Sequence, residues 1–212
     1  NGITHQFLRN SDSYEQATTI AATGSGKNYR LTRINTYRSD TPAFFSSNFD
    51  GSEAPLSEGG RWTNPALSSL RKNSGVVTVN NTSESCARLS SPVFAANQYS
   101  QITLVSVNSS GSMSPAVRID TSARGYYLYI YSNKIELWKY NPGWQQVGSG
   151  IAHIANSGDI VRLEAEGTTF RAKFNGTTIR TWTDSSYTSG QPGMSSYANA
   201  SASADNFEAG DL

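Results

Sequence analysis

The chain has 212 residues with a formal net charge of +1, 16% charged side chains and 11% aromatic ones. No nucleic-acid or acidic-membrane partner is implied, because phosphate binding needs a clustered basic excess, and no run approaches the roughly 18 apolar residues of a membrane-spanning helix. Cys86 is the only cysteine, and His5 and His153 are the only histidines, so an intrachain disulfide, a thiolate nucleophile and a Cys/His zinc site all fall away. Cys86 reads as a small buried hydrophobe.

Along the chain, residues 1–42 read as an N-terminal arm or strand extension too short to bury a core of its own. Residues 13–20 suit a helical turn or a strand, and Tyr29 to Tyr37 a strand. Residues 21–27 mimic a phosphate loop but lack its first glycine and carry Asn28 where a hydroxyl would bind metal. The chain opens on Asn1 without a leader pattern, as a processed chain would. A turn-forming cluster at residues 39–43 then separates the arm from residues 43–212, where short strands alternate with Gly, Asn, Ser and Pro turns. Strands are expected at residues 76–79, 99–107 and 116–120. The segment from Asp159 to Glu166 alternates strictly, with Val161, Leu163 and Ala165 on one face and Arg162, Glu164 and Glu166 on a solvent face. Phe170 to Trp182 forms a hairpin around Asn175-Gly176. Its simplest register pairs Phe174 with Thr177, Ala172 with Ile179 and Phe170 with Thr181, and sets Arg171 against Arg180. No apolar pattern at helical spacing is sustained after residue 43, which predicts an all-β antiparallel β-sandwich.

The segment from Arg124 to Tyr140 is the most informative. With Ser132-Asn133 as a two-residue turn, Ile130 pairs with Ile135, Tyr129 with Glu136, Leu128 with Leu137 and Tyr127 with Trp138. Leu128, Ile130, Ile135 and Leu137 then share an aliphatic, core-facing side. Tyr127, Tyr129, Tyr131, Lys134, Glu136, Trp138 and Tyr140 share the other side, where rings with polar tips suit an amphipathic partner, either a sugar or another protein subunit. Trp144 and Trp62 are loop aromatics that would extend such a surface. His153, between Ile151 and Ile154, reads as structural.

Three pieces in order resemble a known family. Phe49-Asp50-Gly51 with Pro55-Leu56 and Arg61-Trp62-Thr63 is similar to the opening of concanavalin A-like jelly-roll modules of the laminin-G type. Asp159-Ile-Val-Arg-Leu-Glu164 with Phe174-Asn175-Gly176-Thr177 resembles their central hairpin region, and Ser189-Gly-Gln-Pro-Gly-Met194 with Asp205-Asn206-Phe207-Glu208 their ending. The resemblance covers roughly residues 44–212. It implies two packed antiparallel sheets of jelly-roll topology, with first and last strands side by side, and often a glycan ligand. Structural calcium is implied at Asp50 and Asp205, although capping of their own turns explains both aspartates as well. Such modules occur in bacterial surface proteins and in phage tail or fibre proteins, and the opening Ile3-Thr4-His5-Gln6-Phe7 faintly resembles that of some phage structural proteins.

Catalysis finds little support in these residues. Glu164 and Glu166 are the nearest match to the paired glutamates of laminarinase-like members, whose carboxyls about 5–5.5 Å apart suit retaining hydrolysis. The carboxylate that should stand between them is absent, and the histidine motif of jelly-roll lyases is missing. The expectation is therefore a non-catalytic, surface-exposed carbohydrate-binding module that meets a glycan or cell-surface polysaccharide outside the cell or on a virion. Tyr127, Tyr129 and Trp138 would stack on sugar rings, Glu136 and Tyr140 would hydrogen-bond hydroxyls, and Tyr131 and Trp144 would extend the surface. The alternatives are a homo-oligomeric subunit of a virion or filament assembled through residues 1–42, and a glycoside hydrolase.

Overall fold

The computed structural model describes residues 41–81, 83–197 and 201–212, together with the backbone of three strands within residues 1–40. The chain divides into two compact units, Asn1–Pro42 and Ala43–Leu212. In the first, β1 (Ile3–Asn10), β2 (Ser13–Ile20) and β3 (Asn35–Arg38) pair antiparallel in that order. Residues 13–20 are thus strand rather than helix. Of the strand expected over 29–37, the part from Asn35 is seen; residues 29–34 and the glycine-rich 21–28 lie outside the described residues.

The second unit begins with β4 (Phe44–Ser47), β5 (Trp62–Thr63), β6 (Leu70–Asn73), β7 (Val76–Val79), β8 (Ser85–Leu89), β9 (Gln98–Ser106), β10 (Met113–Ile119) and β11 (Gly125–Ile130). It continues through β12 (Lys134–Tyr140), β13 (Trp144–Gln146), β14 (Ile151–Ala152), β15 (Ile160–Glu166), β16 (Thr169–Phe174), β17 (Thr177–Thr183), β18 (Gln191–Ser196) and β19 (Ser203–Asp211). A front sheet runs β13-β12-β11-β10-β18-β8-β5, with β14 also on β12. A back sheet runs β17-β16-β15-β9-β19-β7-β6, with β4 on β19. The first and last strands of the sandwich are therefore neighbours, Phe207 opposite Ser47.

Between the sheets lies one apolar core. Leu128, Ile130, Ile135 and Leu137 of the front sheet meet Val161, Leu163, Ala165, Phe170 and Ala172 of the back sheet, all essentially inaccessible to water. Alternation puts these residues inward because each strand has one face toward the opposing sheet. Trp62 belongs to this core as well. Its ring packs edge-on to Phe207 at 4.7 Å and to Phe45 at 5.8 Å, and its indole N–H donates to Glu58 at 2.8 Å. The expectation that Trp62 extends a binding surface is corrected: alternation in β5 aims it inward while Thr63 faces out.

Two bulges decide what faces where. In β16–β17 the register of Phe174 with Thr177 and Lys173 with Thr178 slips at Ile179, so that Ala172 faces Arg180 and Phe170 faces Trp182. The simple register would have put Thr181 against Phe170 in the core. The extra residue buries Trp182 instead, 4% exposed, and also removes the opposition of Arg171 and Arg180. In β10 the register shifts between Ala116 and Ile119, with Arg118 at φ +56°. That bulge turns Arg118 inward, where its guanidinium donates to Ala96 O and Tyr187 O, both at 3.0 Å. It also turns Ile119 onto the outer face of the front sheet. Gly190 makes room for the bulge, since a Cβ there would stand 2.3 Å from the Arg118 carbonyl carbon.

Candidate functional site: the outer face of the front sheet

The hairpin of β11 and β12 has the register its side-chain pattern dictates, with Tyr127 opposite Trp138, Tyr129 opposite Glu136 and Ile130 opposite Ile135. The turn closes through the Tyr131 N–H to Lys134 O at 2.9 Å. Paired residues share a face, so the rings stand on the outer side of the front sheet, away from the main core.

That side is not simply open. Cys86, Ala116, Ile119, Tyr127 and Tyr129 form a second buried cluster, flanked by the half-buried Leu67, Tyr131, Trp138, Tyr140 and Trp144. Tyr127 is fully buried, donating its O–H to Ala123 O at 2.6 Å with Cys86 Sγ 3.7 Å away. Tyr129 is 4% exposed, covered by Trp144 at 5.1 Å, Tyr197 at 5.4 Å and Trp138 at 5.9 Å. Desolvation pushes both phenols far above their ordinary pKa and the Cys86 thiol up to about 12. The expectation that Tyr127 and Tyr129 stack on a ligand is corrected, because neither offers a ring face to solvent; they form the floor. The rings that reach the surface are Tyr131, Trp138, Tyr140, Trp144 and Tyr197.

These rings are held in place by carboxylates. Glu136 accepts the Trp138 indole N–H at 3.0 Å through one oxygen and Lys134 Nζ at 2.8 Å through the other. Lys134 in turn lies over the Tyr131 ring at 4.5 Å. Glu84 accepts the Trp144 indole N–H, and the Trp144 ring packs edge-on to Tyr127 at 5.0 Å and against Tyr140 at 5.0 Å. Glu136, expected to bond ligand hydroxyls, accepts one hydrogen bond at each oxygen here and so orients Trp138. Gly150 permits this, since a Cβ there would come within 2.7 Å of Glu136 Cγ.

Fixed aromatic rings with polar edges can receive the apolar face of a flat amphipathic ring without first paying to order themselves. Glu84, Tyr197, Leu67 and Cys86 join this surface only through the sheet order. Their one local signal is the alternation Glu84, Cys86, Arg88 along and just before β8.

No protein-family model and no curated protein matches the chain. Among solved structures it is similar to the carbohydrate-binding module CBM66 of Bacillus subtilis, at 16% identity over 74% of this chain and 95% of that one, TM-score 0.54. It is also similar to the β-glucanase of Bacillus licheniformis, at 11% identity over 81% and 99%, TM-score 0.51. For β-agarase B of Zobellia galactanivorans the identity is 10% over 80% and 93%, TM-score 0.54. The fold is the concanavalin A-like jelly roll.

Within this jelly roll the remaining candidate residues lie elsewhere. Glu164 and Glu166 are on the outer face of the back sheet, on β15. Glu164 is buried rather than solvated as expected: Lys173 Nζ donates to it at 2.7 Å, and Arg162 Nε lies 2.9 Å away without hydrogen-bond alignment. Arg162 stacks over Tyr99 at 3.5 Å, which closes the site from above. Glu166 pairs with Arg171 at 2.7 Å. His153 packs edge-on against Phe174 at 4.2 Å.

At the calcium position implied by the resemblance, Asp50 accepts from the Asn48 side chain at 3.0 Å and Asp205 from the Asn206 backbone N–H at 2.6 Å. Each carboxylate thus closes its own turn. Among the described residues no three His, Cys, Asp or Glu gather where they could hold a metal; calcium here would have to draw most of its about six to eight oxygens from backbone carbonyls and water.

Proposed function

We propose that the jelly roll is a non-catalytic carbohydrate-binding module whose ligand lies across the outer face of the front sheet. The observation that carries this reading is the set of accessible rings, Tyr131, Trp138, Tyr140 and Trp144, standing on a buried aromatic floor with both outer indoles anchored by carboxylates. Sugar rings present axial C–H faces to such platforms and hydroxyls to their edges, and the pre-set geometry lowers the ordering cost of binding. The similarity in fold to a carbohydrate-binding module supports the reading. The same fold is shared by a β-glucanase and an agarase. A hydrolytic role for Glu164 and Glu166 gains no support from that likeness, because both are engaged by cations on the opposite sheet. In this reading the module works outside the cell or at a surface, where polysaccharides are met.

The test is a glycan array followed by titration of the best binder. Trp138→Ala should weaken binding at least tenfold while leaving the thermal midpoint within a few degrees of wild type. Equal affinity in Trp138→Ala and wild type would sink the reading.

A further inference from the structure

The outer face of the front sheet extends beyond the aromatic rings. Across the front sheet Trp138 pairs with Tyr127, Tyr127 with Ala116, Ala116 with Gly193, Gly193 with Arg88, and Arg88 with Thr63. These residues therefore form one row across β12, β11, β10, β18, β8 and β5, on the outer face. Trp138 and Arg88 stand four strand spacings apart, about 19 Å. Between them Tyr127, Ala116 and Gly193 are buried in the floor of the sheet.

The charges on this sheet are unequal in their pairing. Lys134 is bound to Glu136, Lys139 to Asp184 and Arg124 to Asp120. Arg88 has no ion-pair partner among the described residues; its guanidinium makes one long hydrogen bond, 3.4 Å, to Leu89 O. Glu84, the residue just before β8, lies four residues from Arg88, about 13 Å away, and accepts from Trp144. A second polar group on this floor also lacks a partner. Ser195, opposite both Ser114 and Cys86 on the outer side of β18, is 2% exposed and its Oγ makes no hydrogen bond.

Resting on the carbohydrate-binding reading, we infer that the ligand is an acidic polysaccharide, a polymer of uronic acid residues running over the outer face from Trp138 toward Arg88. Its rings lie against Trp138 and its neighbours, and a carboxylate further along the chain meets Arg88. A guanidinium with free N–H donors in a planar fork matches a carboxylate in both charge and geometry.

The experiment is affinity electrophoresis of the full chain in gels containing polygalacturonate, alginate or hyaluronan, each run beside its carboxyl-reduced form. The inference predicts retardation by at least one acidic polymer, at least tenfold weaker with its reduced form, and weakened by raised salt. Arg88→Gln should lose that retardation at least tenfold with an unchanged melting midpoint, and Arg88→Lys should recover only part of it. Equal retardation by acidic and reduced forms, lost in Trp138→Ala but not in Arg88→Gln, would overturn the acidic ligand while leaving the carbohydrate-binding reading intact. Failure of all three acidic polymers to retard the wild type, with neutral glycans bound on the array, would likewise overturn it.

Discussion

Tyr127 shows how a residue that looks like a ligand platform becomes a structural one. Its phenol lies under Trp144 and donates to Ala123 O at 2.6 Å, so Tyr127→Phe should cost about 1 kcal/mol of stability for the lost buried hydrogen bond, read by urea unfolding, with glycan affinity unchanged. Burial also raises the pKa of this phenol and of the Cys86 thiol beside it. In the folded protein both stay neutral at pH values where the unfolded chain has ionised. Their stabilisation is therefore complete below the ordinary thiol value near pH 9 and is lost as pH rises through the thiol and phenol range. Thermal melts should fall in midpoint above pH 9, and Cys86→Ala should show a smaller fall; a midpoint flat to pH 11 would contradict the assignment.

Single hairpins were legible from alternation alone. Tyr129 faces Glu136 and Leu128 faces Leu137 because shifting β11 by one residue would drive the tyrosines into the aliphatic core. The β16–β17 hairpin was legible only to its turn, since the slip at Ile179 answers to Trp182 seeking the core from beyond the local pattern. Trp182→Ala should accordingly cost about 3–5 kcal/mol, measured by denaturant unfolding. The segment after β17 is tied to the front sheet through Asp184. Burial opposes its ionisation, yet hydrogen bonds from Lys139, Ser186 and Tyr126 prevail and hold its carboxyl well below the usual value of 3.8. Stabilisation from this depressed group is present above that value and is lost as pH falls through the folded pKa. Asp184→Asn should thus be less stable than wild type at pH 7, and the gap should narrow below about pH 4; a gap as wide at pH 2 as at pH 7 would count against the ionised carboxylate as its cause.

For the molecule as a whole, the sandwich class followed from many short strands and the aliphatic faces, but the sheet order did not. Nothing local announces that β8 and β18 lie beside β10, and it is this order that brings Arg88, Cys86 and Glu84 onto the aromatic side. The second buried cluster was hidden for the same reason: Leu67, Ile119 and Tyr197 arrive from distant segments, one of them turned outward by the bulge at Arg118. Because the core among the described residues is drawn from residues 43–212, that segment alone should keep its near-ultraviolet circular dichroism. With Asp50 and Asp205 capping their own turns, EDTA should leave the thermal midpoint unchanged; a drop of several degrees, reversed by calcium, would show a structural calcium instead. The four tryptophans test the central claim most directly. In a nitrogen-15 NMR titration with the glycan selected on the array, the indole signals of Trp138 and Trp144 should shift while those of Trp62 and Trp182, in the core, stay in place; saturable binding that leaves Trp138 and Trp144 unmoved would contradict the account.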